Sequence, residues 1–385
     1  MAVLDKILVS AGEASGDRYA ARLVEAFRTH YPAADFFGCA GPEMRRHGVD
    51  PVVESESLAV VGIAEVIHHI PRIYGEYKKL LAAAEKRKPA FAVLTDSPDF
   101  HLRVAARLAG MGIPVFYLVA PQAWAWREGR VRHIRRNVKQ LHCIFPFEED
   151  FFRQRGVEAV YIGHPLARMV QVRSTRSAFF ESRGLRSNDP LVTLCPGSRG
   201  GEIARHLPIL RETVKLLAQQ LPSLQFVLAL PEGSRERFGE AAVRPLLEAG
   251  TVTLVEGATW EAMAHAELTL AASGTVTIEA ALLGAPMVTF YKVSEWTWRI
   301  GRPLVRVPFY SMVNLVAARP VVPELIQENC TPALLSREAG CLLADASART
   351  VQRSGLAEVR TSLDAGHDAL AYSAERIVEH MKGIV

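Results

Sequence analysis

The chain has 385 residues, of which 49% are hydrophobic and 22% charged. This composition is typical of a globular protein with a sizeable core, and the length suits two domains of ordinary size. The formal net charge is only +4, which argues against a dedicated nucleic-acid-binding protein, so no nucleic acid is expected as a partner.

The chain enters a short apolar strand, Lys6–Ala11, almost at once. No charged-then-apolar signal segment precedes it, and no run of about 18 apolar residues occurs. We therefore expect a protein that is neither exported nor membrane-spanning. A glycine-bearing turn follows the strand and opens a helix, but it lacks the G-x-G-x-x-G spacing of a dinucleotide site.

Strands and helices alternate through the first half. Ala90–Thr95 is a nearly continuous apolar run, as expected of an inner parallel strand. The alternation predicts a parallel, doubly wound sheet, with Glu54 and Glu56 in a loop that leads to Leu58. The other strands are predicted at Lys6–Ala11, Asp35–Cys39, Pro114–Val119, Leu141–Pro146 and Ala159–Ile162, and helices at Asp17–Thr29, Leu102–Met111 and Arg127–Lys139.

The pattern restarts after a polar, turn-rich stretch, Arg173–Pro190, and we place the domain crossover near Gly163–Thr175. Two similar α/β sheets facing a cleft are therefore expected. Strands of the second half are predicted at Leu191–Cys195, Gln225–Leu230, Thr251–Val255, Leu268–Ala272 and Pro286–Tyr291, and the last helix at Ala369–Lys382.

Two small-residue turns in the second half, Pro196–Arg199 and Ser273–Thr275, each lead from a strand into a helix. A helix N-terminus offers unpaired N–H groups and a positive dipole end, which suit a diphosphate. Glu279 lies one helical turn beyond Thr275 on the same face, where a carboxylate can accept hydrogen bonds from sugar hydroxyls. The alternative is an ordinary capped turn. For Glu202 and Arg205 we favour surface or capping roles.

Three carboxylates in the first half follow predicted strands. Asp96 ends an apolar strand, which directs it to the crevice where ligands of open α/β sheets bind. A carboxylate there can take the proton of a hydroxyl that attacks a sugar. Asp99 is equally compatible with capping the next helix, whereas Glu13 has no obvious capping role. For Asp17 we favour capping of the first helix.

Two apolar segments, residues 58–74 and 296–306, are bordered by cations. Such segments suit a membrane surface or an acylated, phosphorylated ligand, and core packing with solvated edges is the alternative. The arginines of residues 127–136 are compatible with a lipid phosphate or with a solvated helix. Trp124 and Trp126 are compatible with a hydrophobic wall or with the core.

A long series of motifs occurs in one order between residue 7 and about residue 332. The pieces are Ser10–Asp17, Ala40–Pro42, Val61–Val66, Asp96–Phe100, Pro121–Arg127, Leu141–Glu148, Ile162–Pro165, Pro196–Arg199, Ser273–Thr275 with Glu279, Asn314–Arg319 and Val322–Leu325. Together they resemble the lipid-A-disaccharide synthases of Gram-negative bacteria. Ala318 stands where that family usually has glycine, and Val61 where methionine is common.

The resemblance implies a GT-B glycosyltransferase, with two Rossmann-like, doubly wound parallel-sheet domains facing a cleft. Residues 1–168 would bind the acceptor and lipid, residues 169–365 would bind the UDP-sugar, and a helix at about 366–385 would pack back on the first domain. The implied reaction is transfer from UDP-2,3-diacylglucosamine to 2,3-diacylglucosamine 1-phosphate, which gives a β(1→6) disaccharide 1-phosphate and UDP in lipid A biosynthesis.

The resemblance also implies roles for single residues. Asp96 is the candidate base and Glu13 a second active-site carboxylate. UDP would be held by Ser198, Arg199, Ser273, Gly274, Thr275, Glu279 and Asn314. The acceptor, its acyl chains or the membrane would meet Val60, Val61, Ile63, Val66, Ile67, Arg72, Trp124 and Arg127.

No D-x-D motif lies near a strand end, and the five cysteines are scattered without a C-x-x-C pair. We therefore expect neither a metal nor a cofactor. The expected partners are the two acylated sugars and the cytoplasmic face of the inner membrane, contacted peripherally; the oligomeric state is left open. The alternatives are an undecaprenyl-linked sugar transferase, a UDP-sugar 2-epimerase and a two-lobed solute-binding protein.

Overall fold

A computed structural model of the chain describes residues 6–58, 63–234, 236, 240–247 and 252–383. The chain divides into two compact units. The first unit consists of Met1–Pro165 together with Leu363–Val385, and the second unit is Leu166–Ser362. Each unit has its own parallel sheet. Among the helices of the described residues, none combines the length and the apolar character needed to cross a bilayer.

The first unit is built on a sheet of seven described strands. In chain order these are β1 Lys6–Ala11, β2 Asp35–Ala40, β3 Asp50–Glu54, β4 Phe91–Thr95, β5 Val115–Leu118, β6 Gln140–Cys143 and β7 Ala159–Tyr161. The order across the sheet is β3-β2-β1-β4-β5-β6-β7, and all pairs are parallel. Its helices are α1 Ala14–His30, α2 Pro42–Arg46, α3 Ile63–Arg87, α4 Pro98–Gly110, α5 Arg130–Asn137 and α6 Pro146–Arg153, with a 3-10 turn at Ser55–Ser57.

The second unit repeats this plan with six described strands. These are β8 Leu191–Cys195, β9 Gln225–Leu230, β10 Val252–Glu256, β11 Leu268–Ala272, β12 Met287–Tyr291 and β13 Glu324–Ile326, in the parallel order β10-β9-β8-β11-β12-β13. The helices are α7 Leu166–Met169, α8 Arg176–Ser182, α9 Gly200–Gln220, α10 Glu240–Leu247, α11 Thr259–Ala264, α12 Thr275–Leu282, α13 Glu295–Gly301, α14 Met312–Ala317, α15 Pro332–Ala344 and α16 Ala346–Leu363, with 3-10 turns at Arg302–Leu304 and Gln327–Asn329.

The last helix, α17 Ala369–Lys382, belongs to the first unit and packs against α1. Its apolar face is buried, and Ser373 Oγ lies 2.6 Å from His142 Nδ1 on β6. Strands β1 and β4 lie in the middle of the sheet, and all five residues of β4 are buried. Burial on both faces explains their continuous apolar sequences.

The prediction of doubly wound α/β sheets is confirmed, but two strands, β3 and β13, were not predicted. Strand β3 lies in a segment that was predicted as a loop, because its polar residues and Pro51 do not give the apolar pattern of a strand. Strand β3 lies at the edge of the sheet, where a strand tolerates proline. Strand β13 has only three residues, also at an edge. Helix α4 begins at Pro98, earlier than the predicted Leu102.

Asp17 caps a helix, but the prediction that this helix is α1 is wrong. Helix α1 already begins at Ala14, so Asp17 lies inside it and is buried. Its carboxylate accepts hydrogen bonds from the N–H groups of Gly41 (2.8 Å), Glu43 (2.8 Å) and Met44 (3.2 Å). Asp17 therefore caps α2, a helix that sequence spacing did not connect with it, and burial raises its pKa.

Both sheets reverse their strand order at one point, between β1 and β4 in the first and between β8 and β11 in the second. Ligands of open α/β sheets bind in the crevice beyond the carboxyl ends of the strands at such a point. In the first unit the turns at this point hold residues 12–13 and 96–97. In the second unit they hold residues 196–199 and 273–275. The predicted site residues on these turns thus share one edge of their own sheet.

Candidate active site

The turn after β4 is held in an unusual backbone conformation. Asp96 and Ser97 have φ values of 55° and 39°, in the left-handed region. Such a conformation costs about 1–3 kcal/mol per residue, so the surroundings must hold it in place. The carbonyl oxygen of Asp96 accepts hydrogen bonds from Tyr117 Oη (2.5 Å) and from the ring of His101 through Nδ1 (2.9 Å). The hydrogen bonds from these two buried side chains hold the turn in this conformation.

His101 acts here as a neutral ring. Burial lowers its pKa to about 4, so it carries no charge at neutral pH. Since Nδ1 donates to the Asp96 carbonyl, Nε2 is the acceptor and takes the hydrogen bond of Ser10 Oγ at 2.8 Å. Ser10, His101 and Tyr117 were not singled out from the sequence, because only the fold brings them under residue 96.

The Asp96 carboxyl group faces the turn after β1. Oδ1 accepts from the Gly12 N–H at 2.9 Å, and Oδ2 accepts from the Glu13 N–H at 3.2 Å. Burial, followed by the nearby charge of Glu13, raises the pKa of Asp96 to about 8, although these hydrogen bonds act in the opposite direction. The group therefore changes charge close to physiological pH, as a proton-accepting catalyst requires.

Two glycines leave room for this carboxyl group. A Cβ added to Gly16 would lie 1.6 Å from Asp96 Oδ2, and one added to Gly12 would lie 2.3 Å from Ser97 Oγ. Glu13 occupies the N-cap position of α1 without a side-chain capping bond, and its side chain is exposed. The structure thus brings both predicted carboxylates to one switch point.

Asp99 lies beside a cationic cluster instead of capping α4, whose N-cap position is taken by Ser97. Its carboxylate is 2.9 Å from Arg127 Nη1 and 2.8 Å from Arg130 Nη2. Both guanidinium groups also lie over the ring of Trp126, at 4.4 and 4.9 Å from its centroid. Half of the Arg127 side chain is exposed, whereas Arg130 is buried.

Trp124 is half-buried and packs against the core of the first unit. Its Nε1 donates to Glu148 Oε1 at 3.0 Å, and burial raises the pKa of Glu148 to about 7. Of the other residues predicted to meet the lipid, Val60 and Val61 lie outside the described residues. Ile63, Val66 and Ile67 belong to α3, but their side chains are not among those described. Arg72 is exposed on the same helix, next to the exposed Ile70 and Tyr74.

In the second unit, the turn after β11 opens helix α12. Gly274 is at its N-cap position in an extended conformation, and a Cβ there would meet no atom within 4 Å. Ser273 Oγ donates to the carbonyl of Tyr310 at 2.9 Å, which ties the turn to a neighbouring loop. Glu279 is buried one turn further along α12. The N-terminus of α12 thus lies at the switch point with open space beside it.

The turn after β8 is already capped from within. The Glu202 carboxylate accepts hydrogen bonds from the N–H groups of Ser198 (3.2 Å) and Arg199 (3.3 Å) and from the hydroxyl group of Tyr291 (3.0 Å). Arg205 is exposed and donates to the Gly201 carbonyl at 2.8 Å. The capping role favoured for Glu202 and the surface role favoured for Arg205 are therefore confirmed. The N–H groups of Ser198 and Arg199 are therefore already hydrogen-bonded, and the expectation that they are available to bind an anion is wrong.

The guanidinium of Arg199 remains the accessible cationic group of this turn. It lies 3.5 Å from Glu202 Oε1, and 58% of the side chain is exposed.

Asn314 differs from the other predicted nucleotide ligands. It is almost completely buried, and its Nδ2 donates to Val322 O (2.9 Å) and Glu324 Oε1 (2.8 Å). Its Oδ1 accepts from the N–H groups of Val321 (2.8 Å) and Val322 (3.0 Å). An amide has two donor hydrogens and two acceptor lone pairs, so its whole capacity is used within the protein. In this structure Asn314 positions the chain before β13.

Comparison with known proteins identifies a family. A model of the family described as Lipid-A-disaccharide synthetase matches residues 7–378. The chain is 52% identical to the lipid-A-disaccharide synthase of Solibacter usitatus over 386 aligned positions, which cover 99% of both chains.

Solved structures show similarity of fold alone. The UDP-GlcNAc 2-epimerase of Neisseria meningitidis bound to UDP-GlcNAc has a TM-score of 0.64 at 13% identity, with 98% of this chain and 100% of that chain covered. A kitacinnamycin glycosyltransferase also reaches 0.64, at 16% identity, with 98% of both chains covered. Equal scores for an epimerase and a transferase show the GT-B fold class without separating the two activities, whereas the sequence comparison does separate them.

Proposed function

Because the chain belongs to the lipid-A-disaccharide synthase family, we propose that it condenses UDP-2,3-diacylglucosamine with 2,3-diacylglucosamine 1-phosphate. The product is a β(1→6)-linked disaccharide 1-phosphate, and UDP is released. The observation that carries this proposal is the carboxyl group of Asp96, whose raised pKa and fixed position at a switch point suit a general base.

The chemical step is a single displacement. The 6-hydroxyl oxygen of the acceptor forms a bond to C1 of the donor sugar as the bond from C1 to the UDP oxygen breaks. The hydroxyl proton passes to the Asp96 carboxylate, and UDP leaves with the electron pair. Attack from the face opposite UDP converts an α-linked donor into a β product. Glu13 supplies a second negative charge beside the reacting centre.

We assign UDP to the switch point of the second unit. The N-terminus of α12, with Ser273, Gly274 and Thr275, would hold the diphosphate, and Ser198 and Arg199 would approach it from the turn after β8. Glu279 would accept hydrogen bonds from the ribose hydroxyls. Asn314 would act indirectly, by holding the chain before β13.

Replacement of Arg199 by alanine is expected to weaken UDP binding. A hydrogen bond to a charged group contributes about 1.5–3 kcal/mol, so the Kd of UDP should rise at least tenfold. Isothermal titration calorimetry measures this directly. Arg211→Ala, a partly exposed arginine further along α9, is the matched control and should leave the Kd unchanged. Equal Kd values for all three proteins would remove Arg199 from the site.

Turnover is expected to be independent of divalent metal. Helix dipole and guanidinium charge would stabilise the departing UDP, so the reaction needs no Lewis acid. Initial rates with EDTA should therefore equal the rates with added magnesium. Loss of activity in EDTA, with recovery on addition of magnesium, would contradict this proposal.

For the acceptor we propose contacts in the first unit. Arg127, stacked on Trp126, is exposed and would bind the 1-phosphate, with Arg130 behind it. Arg72 and the apolar segment 58–74, with Val60, Val61, Ile63, Val66 and Ile67, would meet acyl chains and the cytoplasmic face of the inner membrane. Trp124 would support the wall of this region. The protein would then act in the cytoplasm as a peripheral membrane enzyme.

Incubation with both acylated sugars followed by mass spectrometry tests the function. A product with the mass of the disaccharide 1-phosphate, formed with an equal amount of UDP, is expected only when both substrates are present. Interconversion of UDP-sugars without acceptor would instead indicate an epimerase. Transfer to an undecaprenyl-linked acceptor in place of the acylated monosaccharide would indicate the other transferase activity.

A further inference from the structure

An apolar cavity of about 290 Å³ lies within the second unit, at the same edge of the sheet as the N-terminus of α12. Ser273, which follows β11, forms part of its wall, as do Tyr291 and Ile326 at the carboxyl ends of β12 and β13. The cavity therefore begins where the proposed diphosphate site ends. The donor sugar, attached to that diphosphate, would lie next to it.

The segment 295–305, formed by α13, the following 3-10 turn and Val305, forms one side of the cavity. Thr297, Trp298, Gly301 and Val305 from this segment line the interior. Tyr310 also connects Ser273 with this segment. Its carbonyl oxygen accepts a hydrogen bond from the Ser273 hydroxyl, and its ring centroid lies 6.1 Å from that of Trp298. A ligand in the cavity would thus contact the turn that we assign to UDP.

The outer face of the same segment carries exposed apolar side chains beside the ion pair of Glu295 and Arg299. Trp296, Ile300 and Leu304 are spaced four residues apart and are 75%, 67% and 53% exposed. A surface helix usually turns its polar residues outward and its apolar residues inward. Apolar groups on both faces favour a lipid environment around this segment over ordinary solvent.

One buried polar atom of a residue that lines the cavity lacks a partner. Trp298 Nε1 is buried, and no hydrogen-bond acceptor for it occurs in the part of the chain that the structure describes. Buried indole N–H groups usually donate to an acceptor. The indole ring of Trp298 forms part of the wall, and its N–H group is covered by other atoms of the protein, so the surface that the cavity offers is apolar and matches an aliphatic chain.

We infer that this cavity binds an acyl chain of the sugar-nucleotide donor. The inference rests on the proposed function, which makes the donor an acylated UDP-sugar. The volume is close to the lower limit of roughly 300–1,000 Å³ for small-molecule sites, so the cavity suits one part of a substrate rather than the whole. The acceptor would not use it, since its contacts are proposed in the first unit.

The test is to fill the cavity without disturbing the fold. Gly301 has ordinary helical torsion angles (φ −80°, ψ −38°), and a Cβ there meets no atom within 4 Å. Gly301→Leu should therefore fold normally while it occupies part of the cavity. Gly110→Leu is the matched control, because Gly110 is an exposed helical residue of the first unit with equally open surroundings.

Binding is measured by calorimetry for UDP, a diacetyl donor and a donor with medium-length acyl chains. Each buried methylene should strengthen binding roughly three- to fourfold, so the wild type should prefer the longer chains. Gly301→Leu should weaken binding of the longer-chain donor at least tenfold and leave UDP unchanged.

The outcomes separate this inference from the proposed function. Disaccharide formation by the wild type, with the same chain-length preference in Gly301→Leu as in the wild type, would overturn the cavity assignment alone. A rise in the KM of the acceptor instead of the donor would overturn it too. Absence of any disaccharide with wild-type enzyme would overturn the proposed function, while the calorimetric comparison would still report on the cavity.

Discussion

The Asp96→Asn variant is expected to lose catalysis by a factor of roughly 10²–10⁴ in kcat, the usual contribution of a general base. Asparagine has nearly the shape of aspartate, and its amide oxygen can still accept one of the two N–H groups at the turn after β1. It cannot, however, accept a proton from the acceptor hydroxyl. Steady-state rates with both acylated sugars measure the effect, and the Kd of UDP should stay unchanged.

The pH dependence provides the internal control for this variant. Since the pKa of Asp96 is about 8, its ionised fraction rises with pH through that value, and kcat/KM of the wild type should rise with it. The residual activity of Asp96→Asn should lack this rise. A wild-type profile that is flat between pH 6 and 9 (roughly one unit or more on either side of that pKa), or full activity of the variant, would show that another group takes the proton.

Stability should change in the opposite direction to activity. Burial raises the pKa of Asp96 from its ordinary 3.8 to about 8, so the folded protein binds a proton that the unfolded chain has released between these values. The folded state is therefore destabilised as pH rises through this window. Asp96→Asn removes this effect, and its melting temperature relative to the wild type should increase from pH 5 to pH 8, within that window.

The sequence was sufficient to predict the inner parts of the fold. Strands such as β4 and β11 are buried on both faces, and so their apolar runs are unmistakable. The turns that follow them carry the candidate residues, because the carboxyl ends of parallel strands are where such sheets bind ligands. Asp96 and Ser273 were located in this way from local pattern alone.

Long-range contacts limited the prediction. His101 is 91 positions from Ser10, and Asp17 is 24 positions from Gly41, yet these pairs are bonded in the structure. Nothing in the local sequence pairs them, since their spacing matches no helix or strand period. The same holds for Glu202, which was recognised as a capping residue but not as the group that occupies the N–H groups of its own turn.

Apolar segments were the most ambiguous part of the sequence. For residues 296–306 both core packing and a lipid contact were open, with core packing favoured for the segment taken alone, because composition does not show which face of a segment is covered. The structure separates the two faces: Trp298 lines a cavity and Trp296 is exposed, although they stand two positions apart. This division is what turns an apolar stretch into a binding-site hypothesis.

The Gly16→Ala variant is the last prediction and tests position rather than chemistry. Gly16 lies in α1, where alanine is ordinarily more favourable than glycine by about 0.5–1 kcal/mol. Here the added methyl would lie 1.6 Å from Asp96 Oδ2 and 2.7 Å from Cγ. Since Tyr117 and His101 hold the backbone of Asp96, the carboxyl group must rotate away from Gly12 and Glu13. A displacement of about 1 Å can lower turnover about 10²-fold.

Gly110→Ala is the matched control, since no atom lies within 4 Å of an added Cβ there. Both variants should remain folded by circular dichroism, and only Gly16→Ala should lose turnover. Its Kd for UDP should equal that of the wild type, because the nucleotide is assigned to the other unit. If Gly16→Ala keeps both the wild-type kcat and the rise of kcat/KM with pH, then the position of the Asp96 carboxyl group does not matter for the reaction. Its assignment as the base would then be untenable, since a base must lie within hydrogen-bond reach of the proton it removes.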